Sequence, residues 1–187
     1  NRFTRYGVYL TSGTSGNTVQ GNYVGTDATG LLDRGNARGI FLSSSSNNQL
    51  GGTASSQRNV VSGNGSTAAD ADSGIYIYTS SGNVIEGNYL GLGADGLTAV
   101  GNGGSGIFLH TSTATIGGTS AGAGNVASAN GMFGISFWLG PAPGSSVLGN
   151  LVGLAADGTT ARGNSSKGIG VFGTQSVLIG DGSASGR

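Results

Sequence analysis

Eight carboxylates, one histidine and no cysteine set what chemistry this 187-residue chain could perform. Asp70 and Asp72 are the one close acidic pair, in the loop 66–73, with Arg58 expected nearby. A polysaccharide lyase would use such carboxylates to hold calcium and a basic side chain to take a proton. Calcium asks for six to eight oxygens, and this pair alone supplies too few. A solvated polar loop is the simpler reading. Asp95 and Asp157 hold matching places in the chain, so they could line one edge about 10 Å apart, two strand spacings. Glycoside hydrolysis needs two carboxyls roughly 5–9.5 Å apart. Yet each of these aspartates precedes a glycine, Gly96 or Gly158, as turn residues do. His110 has no serine or cysteine in a triad context. Asp70, Asp72, Asp95 and Asp157 are therefore the catalytic candidates of an enzyme reading. The turn reading expects no catalytic set, no metal ligands and no cofactor, calcium being the one ion the acidic loop could attract.

Aromatic residues offer a second kind of chemistry. Two residues after six regularly placed glycines stand Tyr9, Phe41, Tyr76, Phe108, Ser136 and Gly170. Four residues after the same glycines stand Thr11, Ser43, Tyr78, His110, Trp138 and Phe172. On a strand these positions point the same way, away from the aliphatic residues between them. Tyr9, Phe41, Tyr76, Tyr78, Phe108, His110 and Trp138 thus form a candidate ligand or partner surface. Contiguous exposed aromatic area marks interaction sites, and flat rings suit sugars or another protein. The same rings also suit a structural ladder, because aromatics favour strands and each stacked pair adds about 0.5–1.5 kcal/mol.

The elements that would position these residues are written as a repeat. Gly7-Val8-Tyr9-Leu10, Gly39-Ile40-Phe41-Leu42, Gly74-Ile75-Tyr76-Ile77, Gly106-Ile107-Phe108-Leu109, Gly134-Ile135-Ser136-Phe137 and Gly168-Ile169-Gly170-Val171 start 32, 35, 32, 28 and 34 residues apart. A period of this size predicts stacked units, each burying its apolar face against its neighbours. Two shorter strands follow each glycine strand. One carries Val19, Leu50, Ile85, Ile116, Val147 and Ile179 inward, the other Val24, Val61, Leu90, Ala127 and Val152. Asparagines stand at the corners, where a left-handed backbone is tolerated and amides can bond to the same residue one rung away. The coils alternate: odd ones carry the twelve-residue excursions 25–36, 91–102 and 153–164, and even ones insert after Gly51-Gly52 and Gly117-Gly118. The excursions should therefore stack along one edge, every second rung.

The expected fold is all-β, a right-handed parallel β-helix of about six coils in one domain spanning 1–187. Forty glycines without a triplet period exclude collagen, and glycine interrupts every candidate helix. Eight basic residues balance eight acidic ones, with no basic stripe for nucleic acid. No apolar run reaches membrane-spanning length. Neither end shows a helical cap, which reads as a segment of a longer array and permits end-to-end self-association.

Asn-x-Ile/Val-x-Gly-Asn, a Gly-Thr-Asp-type excursion, then Gly-Asn and Gly-Ile-x-Leu resemble the parallel β-helix repeat proteins of the pectate-lyase-like superfamily. More narrowly, they resemble the repeat arrays of large secreted or surface-attached bacterial proteins. The resemblance covers the whole chain. It implies an extracellular or cell-surface location and leaves three functions open. The first is a non-catalytic rigid spacer and adhesive surface contacting polysaccharide or a protein partner. The second is a polysaccharide lyase or hydrolase, and the third a self-stacking fibre.

Overall fold

The computed structural model describes residues 3–67, 69–184 and 186, and they wind into a parallel β-solenoid. The glycine strands β1 (Tyr6–Thr11), β4 (Arg38–Ser43), β7 (Ile75–Tyr78) and β10 (Ile107–His110) stack in register with the opening parts of β13 (Phe133–Leu148) and β15 (Lys167–Ile179). A second face is built from β2 (Thr18–Val19), β5 (Gln49–Gly51), β8 (Asn83–Glu86), β11 (Ala114–Gly117) and the closing parts of β13 and β15. The third holds β3 (Tyr23–Val24), β6 (Val60–Val61), β9 (Tyr89–Leu90), β12 (Val126–Ala127) and β14 (Leu151–Val152). Short 3-10 turns at Ser55–Gln57 and Asp70–Asp72 complete the regular structure.

The turn count is about five rather than six. β15 joins the first two faces, but among the described residues after it none forms a strand of the third face. The predicted columns are the core: Ile40, Leu42, Leu50, Val61, Ile75, Ile77, Ile85, Leu90, Ile107, Ile116 and Ile135 are sealed from solvent. In the end layers Val8, Leu10, Val19, Ile169 and Val177 are only partly covered, and Val171 and Ile179 are exposed, because each has a rung on one side only.

Three asparagine ladders brace the corners. Asn17–Asn48–Asn83, Asn22–Asn59–Asn88–Asn125–Asn150 and Asn36–Asn64–Asn102–Asn130–Asn164 repeat one motif. In it the side-chain oxygen of one asparagine accepts both the backbone and the amide N–H of the asparagine one rung below. In the middle rungs both bonds are made in a dry interior, as at Asn59 on Asn88, 3.2 and 2.9 Å. An unmade bond there would cost about 1–3 kcal/mol. The left-handed backbone expected of these asparagines falls elsewhere. Asn47 is the one described asparagine with positive φ and it is not a ladder member, whereas Gly21, Gly87 and Gly149, each just before a ladder asparagine, have φ of 64–68°. The asparagine is required for its amide, and its neighbour makes the turn.

The excursions close as small antiparallel hairpins, through Thr26 with Asp33, Leu92 with Ala99 and Leu154 with Ala161. They stack on one another across two rungs, as the alternation predicts: Ala94 N–H donates to the Gly30 carbonyl at 3.0 Å and Ala156 N–H to Gly96 at 2.9 Å. Together they pack over the middle rungs of the third face, while Tyr23 in its end rung stays exposed. A small second core results, of Leu92, Val126 and Ala155 with Tyr89 and Leu151 against it.

Candidate binding face

Asp72, Asp95 and Asp157 are each bonded into their own turns. Asp95 accepts the backbone N–H of Leu97 and Thr98, both at 2.9 Å, and the Thr98 hydroxyl at 2.6 Å. Asp157 does the same with Thr159 and Thr160 in the next hairpin. The Thr160 hydroxyl and then the backbone N–H groups of Thr160 and Thr159 hold the Asp157 carboxyl down to about 2. At Asp95 partial burial pushes up, but the Thr98 and Leu97 donors outweigh it and the carboxyl sits below its usual range. Bonded this way, both acids serve as turn staples. Asp72 likewise binds its own loop through Ser66 and Thr67. The side chain of Asp70 lies outside the described atoms. Arg58 does not approach this loop. Its guanidinium lies 4.1 Å over the Tyr89 ring and Nε donates to the Gly87 carbonyl. Arg38 takes the place expected of Arg58, donating Nε to the Ala71 carbonyl at 2.7 Å. Among the described residues, no three His, Asp or Glu side chains gather as a metal site would need.

The aromatic residues, by contrast, converge. Strand register places Tyr9 beside Phe41, Phe41 beside Tyr76 and Tyr76 beside Phe108, and separately aligns Tyr78, His110, Trp138 and Phe172. Ring centroids step along the first column at 5.3, 4.9 and 4.8 Å. In the second, Tyr78 meets His110 at 5.3 Å and Trp138 meets Phe172 at 4.8 Å. Edge contacts of Phe108 with His110 and Trp138 join the columns into one strip. These spacings follow from the rung repeat, which puts equivalent side chains about 4.8 Å apart. Among the described residues the His110 ring engages other rings and the Thr111 hydroxyl, 3.2 Å from Nδ1, and the Ser112 hydroxyl donates to the His110 carbonyl rather than to its ring.

The strip is not exposed along its whole length, as the alternation had led one to expect. Tyr9 and Tyr78 stand out at 45% and 41% exposure, while Phe41 and Phe108 are buried at 7% and 4%. Tyr76, His110 and Trp138 are half-buried. A ring with rings on both neighbouring rungs loses both faces, so the central phenylalanines become a floor and the outer residues a surface. The Trp138 indole N–H is buried without an acceptor among the described residues.

Four residues of this face escape the alternation. Gly7 points its missing side chain inward, as does the next residue, Val8. A Cβ on Gly7 would stand 2.5 Å from Val24 and 2.9 Å from the Asn36 amide, and one on Gly39 would meet Val61 at 2.6 Å. Two successive inward positions shift the phase, so the residue before the glycine faces outward. That column contains Tyr6, Arg38, Phe133 and Lys167. Tyr6 stacks on Tyr9 at 4.6 Å and Phe41 at 5.2 Å. The Arg38 guanidinium sits 5.0–5.6 Å over Tyr6, Phe41 and Tyr76. At the far end Phe133 packs on Phe172, with the Lys167 ammonium 5.4 Å above it. The signal was in the sequence: ring and basic residues recur immediately before the repeat glycine.

Family models, curated proteins and solved structures were compared with the chain, and no match was found.

Proposed function

We propose that the chain is a non-catalytic binding rod whose ring-lined face holds an extended polysaccharide. The observation that carries this reading is the unbroken strip from Tyr6 to Phe172, with the rings of Phe41 and Phe108 as a floor and those of Tyr9 and Tyr78 standing clear. Along the rod it would span about 29 Å at six rungs, and about 18 Å across at five to six residues of strand. That is about 500 Å², below the roughly 800 Å² per partner of a stable protein interface. A narrow polymer that lies along the rungs and meets one ring after another fits such a strip better. Kinship with secreted or surface β-helix arrays, suggested by the asparagine and glycine repeats, supports an extracellular setting in which the stiff rod also acts as a spacer. The lyase and hydrolase alternative has less support, since Asp72, Asp95 and Asp157 are each bonded into their own turns.

Trp138 is the single tryptophan and lies in the strip, so its fluorescence reports on this face alone. Titration with cellohexaose, mannohexaose, xylohexaose and hexagalacturonate should give a saturable change with at least one of them. Replacing Tyr78 and Trp138 together should abolish that binding, followed calorimetrically, while leaving the fold. No binding of any probe by the unaltered chain would overturn the reading.

A further inference from the structure

A cleft of about 280 Å³ opens at the head of the strip, lined by Thr4, Arg5, Tyr6, Ala37, Arg38 and Asp72. Tyr6, the first ring of the strip, forms one wall, and the loop that ends at Asp72 forms another. Arg38 ties the two together, donating Nε to the Ala71 carbonyl at 2.7 Å and Nη1 to the Tyr6 hydroxyl at 3.4 Å. Asp72 is fixed through one oxygen only: Oδ2 accepts the backbone N–H of Ser66 and Thr67 and the Thr67 hydroxyl. Its Oδ1 has no partner among the described residues, and neither has the Arg5 guanidinium. Arg5 and Asp72 both line the cleft, and among the described residues no ion pair joins them. A charged donor and a charged acceptor left unpaired in one small cleft suit a ligand that offers an acceptor and a donor a short distance apart. Adjacent hydroxyls of a sugar ring do so, each able to accept and donate. The volume lies just under the roughly 300–1,000 Å³ of sites for drug-sized ligands, so it has room for one ring and not for several.

We propose that this cleft is a subsite for a single sugar residue of the polymer. The ring lies against Tyr6, one hydroxyl accepts from Arg5, and its neighbour donates to Asp72 Oδ1. Arg38 is a positioning residue that holds the ring wall and the loop wall together. The proposal rests on the polysaccharide reading and deepens it: one residue held at the head of the strip gives the bound chain a register and a direction.

The test compares the unaltered chain with Arg5→Ala, Asp72→Asn and Trp138→Ala, each titrated calorimetrically with the four hexamers named above. Asp72→Asn keeps an oxygen to staple the loop and puts an N–H donor where the cleft needs an acceptor. Arg5→Ala removes a side chain that has no bonding partner among the described residues, so it also serves where the Asp72 variant proves unstable. Arg5→Ala and Asp72→Asn should each weaken the tightest-bound hexamer about tenfold, as loss of a charged hydrogen bond would. They should also flatten the ranking among hexamers. Trp138→Ala should weaken all hexamers alike and keep the ranking. If Arg5→Ala and Asp72→Asn leave affinity and ranking unchanged while Trp138→Ala weakens binding, the strip holds glycan without the cleft, and the subsite proposal alone is overturned. If the unaltered chain binds none of them, the strip reading fails and the subsite with it.

Discussion

Two outer faces of this rod carry tyrosines, and the chain's own hairpins fold over the middle rungs of one of them, leaving only its end-rung Tyr23 exposed among the described tyrosines of that face. On the third face Tyr89 and its neighbours Val126 and Leu151 lie beneath the stacked hairpins, against Leu92 and Ala155. On the first face the rings of Tyr9, Phe41, Tyr76, Tyr78 and Phe108 pack on one another, on Tyr6, His110 and Trp138, and beneath Arg38, and the hairpins do not reach them. The strand chemistry is alike in both places. The difference lies in the excursions, which leave the rod at the corner after the third face and fold back over it on every second rung. Outward rings therefore mark a candidate site only where no segment of the same chain returns to cover them.

The largest effect should come from the interior that both faces share. Ile75→Asp would place an unpaired charge in a core sealed from water, and circular dichroism should show an unfolded chain. A cooperative melt from that variant would mean that inward and outward positions had been exchanged. Next, Leu92→Ala on the inner side of the hairpin 91–102 and Phe108→Ala in the floor of the strip should each cost about 2–5 kcal/mol in urea unfolding, as buried side chains do. A loss below about 1 kcal/mol at Leu92 would show that the hairpins rest loosely on the third face, and the contrast between the faces would weaken.

A smaller, local effect should follow from acid. The folded pKa of Asp157 is depressed to about 2 from an ordinary 3.8. Its stabilising contribution is therefore fully present above about pH 4 and lost as pH falls toward 2. Amide exchange at Thr159 and Thr160, corrected for the intrinsic rate, should stay protected from pH 7 to 5 and speed up between pH 4 and 2. Equal protection at pH 7 and pH 2 would remove the carboxylate from its role as a turn staple. Smallest of all should be Tyr78→Ser, an exposed position expected to change stability by about 0.5 kcal/mol or less. A loss of several kcal/mol there would make the strip a structural cluster.

Much of this was legible in the residues. The glycine period located all six strands of the first face, the aliphatic columns located the core, and the corner asparagines became the predicted ladders. What escaped depended on three-dimensional placement. Alternation fails at Gly7 because a residue without Cβ can point inward beside an inward Val8, and Tyr6 and Arg38 are thereby turned onto the open face. The burial of Phe41 and Phe108 depends on rings one rung above and below, some thirty residues away in sequence. Arg58 could not be separated from Arg38 as the partner of the acidic loop, since both lie in coils beside it and only the fold decides which one reaches Ala71.

The contrast between the faces can be tested residue by residue. Backbone and side-chain NMR shifts should be mapped during titration with whichever of the four hexamers binds tightest. Changes are expected at Tyr9, Tyr76, Tyr78, His110 and Trp138, with the hairpin 91–102 and Tyr89 silent. Shifts gathered on the hairpin edge, or absent from the ring-lined strip at saturation, would contradict the account.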